Sequence, residues 1–390
     1  MKDFIPVSAP ALLGNEKRYV GECLETTWIS SIGAFIERFE RGIAELCGGE
    51  NAVSCCNGTV ALHLALLGLG IGPGDEVLVP SLTYVATANA VRYCGAEPVF
   101  VDSDRRTWNL DPADLARKLT PRSKAVIAVH LYGKPAAMDE ILALARGGGL
   151  AVVEDAAEAI GAAYHGRPVG SLGDVAAFSF FGNKVITCGE GGMVLARDAA
   201  IGRRIRQLKG QGQDFERRYW FPIVGYNYRM TNIAAALGLA QLEKIGDYLA
   251  ARDEIDAWYR EELAGHPGIV LQARDAGERS VNWLFSVVLA GGSPPLRDRT
   301  MAALREAGID SRPFFIPCHT LPPYLGATPH ACPQAEWLGE RGLSLPTWVG
   351  MTRQHVRRVA STLRRALDTE ERQGGSLARE QGLPGHGAGS

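Results

Sequence analysis

Residues 50–200 alternate between short apolar runs and stretches with helical periodicity. Five runs rich in valine, isoleucine, leucine and alanine lie at residues 75–80, 96–102, 124–133, 150–157 and 175–180. Strands that are apolar along their whole length belong to sheets covered on both faces, and strands that alternate with helices usually pair in parallel. The pattern therefore predicts an α/β fold with a mostly parallel sheet flanked by helices. Binding residues are expected at the carboxyl ends of the strands.

The length of 390 residues fits one large and one smaller domain. Residues 1–245 are assigned to an N-terminal segment and the large domain, with residues 232–264 predicted as one or two helices leading away from it. A second α/β pattern begins near residue 280 and closes with an amphipathic helix ending near Leu367, so residues 246–370 are assigned to a small C-terminal domain. Residues 371–390 are rich in glycine and polar residues and are predicted to form a disordered tail.

Composition and residue spacing limit the partners and metals that this protein is expected to bind. The formal net charge of −2 gives no electrostatic reason to expect nucleic acid or a membrane surface as a partner. We expect neither a membrane span nor a signal peptide, because no apolar run is long enough. The eight cysteines and eight histidines lack metal-ligand spacing, so no metal is expected. Reduced thiols and a cytoplasmic location are the simplest expectation.

Lys184 lies where a buried strand is expected to end, between "AAFSFFGN" and the glycine-rich "VITCGEGG". A lysine on a loop usually reaches solvent. Here both flanks are apolar or tightly turned, and burial of an ammonium group is costly. A buried lysine whose pKa is lowered is a usable nucleophile, and this is the functional interpretation of the position.

Three other features favour the functional interpretation. Asp155 ends the run at 150–157 and could either cap the next helix or point into a crevice. Gly58 and Thr59 open a helix, where free N–H groups attract an anion, and Ser179 could add a hydroxyl. Tyr84 follows a strand end and could stack on a flat ring, although core packing explains it equally well.

Long segments of the sequence resemble the DegT/DnrJ/EryC1/StrS family of nucleotide-sugar aminotransferases. They are "NGTVALHLALLGLGIGPGDEVLVPSLTYVATANAV", "EDAAEAIG", "SFFGNKVITCGEGG" and "GYNYRMTNIAAALGLAQLEK". The resemblance implies the aspartate aminotransferase fold (fold type I), with a smaller C-terminal α/β domain. It also implies pyridoxal 5′-phosphate as cofactor, which passes through pyridoxamine 5′-phosphate, and a homodimer with active sites at the subunit interface.

The resemblance also implies roles for individual residues. Lys184 would bind the cofactor covalently, and Asp155 would face the pyridine nitrogen. Glu158 falls near the cofactor's 3-hydroxyl, where the family often has glutamine or histidine. The other implied cofactor contacts are Gly58, Thr59 and Ser179 at the phosphate, Tyr84 on the ring, and Asn227 reaching the phosphate in the neighbouring subunit.

Several stretches, including "TWISSIGAFIERFE" and "KGQGQDFERRYW", look like the perosamine-forming branch of this family. That likeness implies transfer of an amino group from L-glutamate to the C4 keto group of GDP-4-keto-6-deoxy-D-mannose. Four residues are candidates for substrate contacts: Trp28, His130, Lys209 and His319. Lys209 lies in a segment that otherwise reads as a solvated helix face.

Two alternatives remain at this point. Substrate pockets diverge easily within one fold, so a 3-keto nucleotide sugar or a cyclitol ketone is also a possible acceptor. A non-catalytic sensor that binds pyridoxal phosphate is less well supported, because Lys184 and Asp155 form a complete catalytic pair. The nucleotide, the aminated carbon and the pathway are not given by the sequence.

Overall fold

The computed structural model describes residues 4–291, 294–326 and 331–380. Within these ranges the chain forms the helices α1 (Glu16–Thr26), α2 (Ala34–Cys47), α3 (Gly58–Gly68), α4 (Ala86–Tyr93), α5 (Pro112–Arg117), α6 (Met138–Gly148), α7 (Ala199–Lys209), α8 (Asn232–Leu242), α9 (Ile245–Leu263), α10 (Pro294–Glu306), α11 (Pro333–Arg341) and α12 (Arg353–Glu380). The strands are β1 (Asn51–Cys55), β2 (Glu76–Pro80), β3 (Glu97–Val101), β4 (Ser123–Val129), β5 (Ala151–Asp155), β6 (Ala163–Tyr164), β7 (Arg167–Pro168), β8 (Val175–Ser179), β9 (Gly192–Ala196), β10 (Ile269–Leu271), β11 (Glu278–Arg279), β12 (Phe285–Leu289), β13 (Arg312–Pro313) and β14 (Gly342–Leu345).

The large sheet has the strand order β1-β9-β8-β5-β4-β2-β3. Its five strands from β8 to β3 pair in parallel, and they coincide with the five apolar runs of the sequence. β9 returns antiparallel to β8, and β1 pairs antiparallel with β9. The predicted α/β fold with a mostly parallel sheet is therefore confirmed, with two antiparallel strands added at one edge.

Helices cover both faces of this sheet, which explains why its strands are apolar throughout. Val152 and Val153 are neighbours on β5 and point to opposite faces. Val152 packs in the same core as Phe39 of α2, whereas Val153 packs in the same core as Leu64 of α3. Burial on both faces leaves the carboxyl end of the strand as the place where a polar side chain can meet a ligand.

A second, antiparallel sheet with the order β10-β12-β14-β13 forms the core of the C-terminal part. Tyr259 of α9 and Val356 of α12 pack with its buried residues. Ile5 belongs to the same core and donates its backbone N–H to the carbonyl oxygen of Gly308. The N-terminus thus crosses to the C-terminal part, and the proposed boundary at 245/246 stays a prediction.

The C-terminal helix is longer than expected from the sequence. α12 continues past Leu367 as far as Glu380, so residues 371–380 of the expected tail are helical, and residues 381–390 lie outside the described residues. Residues 232–264 form the two helices α8 and α9. Among the described residues, no helix combines the length and apolarity that crossing a bilayer requires.

Glu154 stabilises the carboxyl end of β5 through hydrogen bonds to a neighbouring loop. Its fully buried carboxylate accepts hydrogen bonds from the backbone N–H groups of Gly170, Leu172 and Gly173 at 2.7–2.8 Å. His130 Nε2 lies 3.1 Å from the same carboxylate. Burial raises the pKa of Glu154, but these hydrogen bonds outweigh burial and leave the pKa below its ordinary value. The buried charge is therefore held by a complete set of donors.

We predict that Glu154→Ala lowers the free energy of unfolding by about 3–5 kcal/mol, because several buried donors lose their acceptor. Glu97→Ala is the matched control. Glu97 forms an exposed ion pair with Arg92, and its removal should cost under about 1 kcal/mol. Urea unfolding measures both. Because the pKa of Glu154 is lowered by folding, the stability it contributes is present above the unfolded-state pKa of about 4.3 and is lost as pH falls through the folded pKa. Equal costs for the two variants at neutral pH would contradict this role.

Candidate active site

A cavity of about 370 Å³ opens at the carboxyl edge of the large sheet. Asp155 enters it as the last residue of β5, and Ser179 enters it as the last residue of the neighbouring strand β8. Lys184 lines the cavity from the turn that follows β8, where its N–H donates to the carbonyl oxygen of Phe181. Asp155 and Lys184 are 29 positions apart in the chain, and the adjacent parallel strands β5 and β8 bring them to the same cavity.

The N-terminus of α3 forms one end of the cavity. Asn57 caps the helix through its side-chain oxygen, which accepts the N–H of Val60 at 2.9 Å. Gly58 and Thr59 line the cavity with Ser179. A Cβ on Gly58 would lie 2.7 Å from Cβ of Ser179, so only glycine allows the helix to approach this strand end. N–H groups at a helix N-terminus beside two hydroxyls form a site suited to a phosphate group.

Asp155 is oriented by two donors. Thr87 Oγ1 donates to its Oδ2 at 2.8 Å, and the N–H of Ala157 donates to its Oδ1 at 3.2 Å. Burial raises the pKa of Asp155, and these hydrogen bonds together with the charge of Lys184 oppose that rise. Thr87 was missed by the sequence analysis, although its position three residues after Tyr84 in "TYVATANA" places it near the same strand end.

Lys184 and Glu158 have shifted pKa values. Burial lowers the pKa of Lys184, and the charges of Glu158 and Asp155 oppose this. Burial raises the pKa of Glu158 to about 7, against the charge of Lys184 and a hydrogen bond from the N–H of Tyr132 at 2.7 Å. The cavity therefore contains an amine made easier to deprotonate and a carboxyl group that exchanges its proton near neutral pH.

Aromatic rings form the outer wall of the cavity. Tyr84 is 59% exposed, and its ring centroid lies 5.7 Å from that of Phe315. Phe315 and Trp283 come from the C-terminal part of the chain and line the cavity with Phe181. The sequence analysis missed Phe315 and Trp283, because an aromatic residue within an apolar run such as "VNWLFSVVLA" reads as ordinary core.

Lys209, a candidate for a substrate contact, does not line the cavity. It is buried, and its Nζ donates to the carbonyl oxygen of Ser54 at 2.6 Å and lies 3.2 Å from Glu40 Oε1. Arg206 pairs with the other oxygen of Glu40 at 2.9 Å. Lys209 is therefore committed to an internal ion pair behind β1, because an unpaired Glu40 in this position would be costly.

His130 and His319, two further candidates for substrate contacts, are likewise bonded to other parts of the protein. His130 is fully buried: its Nδ1 accepts the N–H of Ala136 at 3.0 Å, and its Nε2 bonds Glu154. His319 lies between Ser81 Oγ at 2.6 Å and Glu336 Oε1 at 3.2 Å. Both ring nitrogens of each histidine are used within the protein, and neither residue lines the cavity.

Trp28 and Asn227 lie on the surface, away from the cavity of their own chain. Trp28 is 57% exposed, and its carbonyl oxygen accepts from Asn232 Nδ2 at 2.7 Å. Asn227 is exposed and its side-chain oxygen accepts from Arg229. Neither residue lines the cavity.

Comparison with known proteins agrees with this geometry. The profile of the DegT/DnrJ/EryC1/StrS aminotransferase family matches residues 11–364. GDP-perosamine synthase of Caulobacter vibrioides is 53% identical over 364 residues, which cover 93% of this chain and 98% of that protein. GDP-perosamine synthase of Escherichia coli O157:H7 is 45% identical over 353 residues, covering 90% and 96%.

A solved structure, DesV of S. venezuelae, is 37% identical and superposes with a TM-score of 0.85 over 90% of this chain and 94% of that chain. The family match spans most of the sequence, and the relatives match over nearly their whole length. The fold type predicted from the resemblance is confirmed. The chain belongs to the DegT/DnrJ/EryC1/StrS aminotransferase family and is a pyridoxal phosphate-dependent aminotransferase.

Proposed function

We propose that this enzyme transfers the amino group of L-glutamate to the C4 keto carbon of GDP-4-keto-6-deoxy-D-mannose, forming GDP-perosamine. The observation that carries the proposal is the arrangement of Lys184, Asp155 and the N-terminus of α3 around one cavity. The identity of 53% and 45% to two GDP-perosamine synthases supports the choice of substrate.

The residues of the cavity fit pyridoxal phosphate. The N-terminus of α3, Thr59 and Ser179 offer donors for its phosphate, and the close approach at Gly58 leaves no room for a side chain there. Asp155 offers an oriented carboxylate for the pyridine nitrogen. Tyr84 offers an aromatic face and Glu158 a carboxyl group for the 3-hydroxyl. When bound, the cofactor supplies an aldehyde that reacts with amines and a ring that withdraws electrons from the reacting carbon.

Lys184 has two roles in this proposal. Because burial lowers its pKa, more of its amine is neutral near pH 7 and able to bind the cofactor's aldehyde carbon. With the cofactor bound, Nζ of Lys184 would be the group that takes the proton from the substrate carbon and donates it to the cofactor's C4′ carbon. The oriented carboxylate of Asp155 would hold a proton on the pyridine nitrogen of the bound cofactor, which would strengthen the electron withdrawal by its ring.

A homodimer with shared sites is part of the proposal. Large apolar side chains are exposed near the cavity and in the loop before Asn227; they include Tyr84, Phe181, Tyr219, Trp220 and Phe221. Exposed aromatic clusters of this kind mark interaction surfaces. Asn227 adjoins this loop and would reach the phosphate site of a second copy.

We also propose a cytoplasmic location, since all eight cysteines are unpaired thiols.

We predict that Lys184→Ala folds but loses more than about 10³-fold in transamination rate, because both the covalent anchor and the proton carrier are removed. Borohydride treatment of the wild-type enzyme should fix the cofactor to the peptide that contains Lys184, as measured by mass spectrometry. Lys124→Ala, at an exposed lysine on β4, is the control and should behave as wild type. Turnover of Lys184→Ala at the wild-type rate would refute the assignment.

The shared site predicts complementation. Lys184→Ala and Asn227→Ala chains should each be impaired, and mixing them under conditions of subunit exchange should restore activity, since one hybrid site carries neither substitution. Activity of the mixture and light scattering measure the outcome. If exchange is verified with tagged chains and no activity returns, Asn227 does not serve the neighbouring site.

The substrate assignment predicts a preference for the position of the keto group. Moving the carbonyl from C4 to C3 shifts the reacting carbon by about one bond, roughly 1.5 Å, and misplacement of about 1 Å costs on the order of 10² in rate. We expect kcat/KM to fall at least that far for a 3-keto isomer, and to fall less when dTDP replaces GDP. Preference for the 3-keto sugar or for a free cyclitol ketone would overturn the perosamine assignment and leave the aminotransferase activity standing.

A further inference from the structure

The indole of Trp283 lies beside the amine of Lys184. The Lys184 Nζ lies 4.1 Å from the centroid of the Trp283 ring. Among the described residues no ion pair includes this Nζ, and the charges of Glu158 and Asp155 act on it without one. A cation over the face of an indole is stabilised by the ring quadrupole, most strongly where water is scarce.

The indole is held in place at several points. Its Nε1–H donates to the carbonyl oxygen of Asn183, the residue directly before Lys184, at 2.7 Å. The ring of Tyr132 lies nearly parallel to it, with an interplanar angle of 10° and the ring centroids 6.4 Å apart. The indole is therefore tied to the same turn that carries the lysine, so ring and amine keep a fixed relative position.

The backbone of Trp283 is fixed from the C-terminal part of the chain. The buried guanidinium of Arg252 on α9 donates to the carbonyl oxygen of Trp283 at 2.8 Å and to that of Asn282 at 2.9 Å. Trp283 stands just before β12, one of the two inner strands of the second sheet. The placement of the C-terminal part thus sets the position of the ring beside Lys184.

We propose that Trp283 is a positioning residue that holds the free, charged amine of Lys184 on its indole face, within the cavity and away from Asp155. The inference rests on the proposed function, in which Lys184 is alternately bound and released. An ammonium paired with Asp155 would occupy the carboxylate that the pyridine nitrogen needs. A neutral aromatic face stabilises the cation and leaves that carboxylate free.

The test measures the charge of Lys184 directly, in full-length protein from which the cofactor has been removed. The rate at which acetic anhydride labels Lys184 follows its neutral fraction, and mass spectrometry across a pH series gives the midpoint. The titratable groups around the amine are kept in every variant. They are Asp155 and Glu158, whose charges act on Lys184, Glu190 and Tyr84, which line the same cavity, and Tyr132, which lies beside the indole. Trp283→Leu and Trp283→Phe both lose the Nε1–H bond, and only the phenylalanine keeps an aromatic face.

Removal of the aromatic face destabilises the charged form, so the midpoint of Trp283→Leu should fall by roughly one pH unit. Trp283→Phe should retain most of the wild-type value. An unchanged or raised midpoint in Trp283→Leu, or an equal fall in both variants, would overturn the proposal.

A second arm keeps the shape of the side chain and so does not depend on the folding of Trp283→Leu. Growth with 5-fluorotryptophan weakens the ring quadrupole of every tryptophan and should lower the Lys184 midpoint. The same labelling of Trp283→Phe should add no further fall, and a shift that persists there would refute the role of Trp283. Borohydride fixation of the cofactor in the wild-type enzyme is scored separately. If the cofactor is not fixed to Lys184, the proposed function is refuted, and the result on the contact between the amine and the indole is unaffected.

Discussion

The close contact between the N-terminus of α3 and the ends of β8 and β9 is the constraint on which the site depends. Cβ atoms placed on Gly58 and Gly192 would lie 2.7 Å from Ser179 Cβ and 2.2 Å from the carbonyl oxygen of Asn57. Two glycines thus let a helix start directly against two strand ends. This contact places backbone N–H groups, a serine hydroxyl and the turn carrying Lys184 around one small volume.

The electrostatics of the cavity follow from its position at the end of a doubly covered sheet. Asp155 and Glu158 are buried and Lys184 is half-buried, and burial shifts the pKa of each group towards its neutral form. Glu154, next to Asp155, points the other way and is satisfied by backbone donors. The same strand therefore carries one carboxylate that fixes the structure and one that faces the ligand.

The C-terminal part of the chain completes the site instead of merely packing beside it. It contributes Trp283 and Phe315 to the cavity wall, and Arg252 and Lys134 tie the two parts together. Lys134, in the loop after β4, pairs with Asp275 at 3.0 Å and also with Glu278. A change in the relative placement of the two parts would move the indole of Trp283 and so change its contact with the amine of Lys184.

The sequence by itself determined the parallel strands, the candidate residues at their carboxyl ends and the family, because doubly buried strands and glycine-bounded turns leave local signatures. The sequence did not reveal β1 and β9, because nothing in these two five-residue segments indicates that they pair in the antiparallel direction. Only the tertiary structure decided that Lys209, His130 and His319 are internally paired and that Thr87, Trp283 and Phe315 belong to the site. The physical reason is that a side chain's partners depend on which distant segments pack against it, and neither charge nor apolarity in the local sequence specifies those segments.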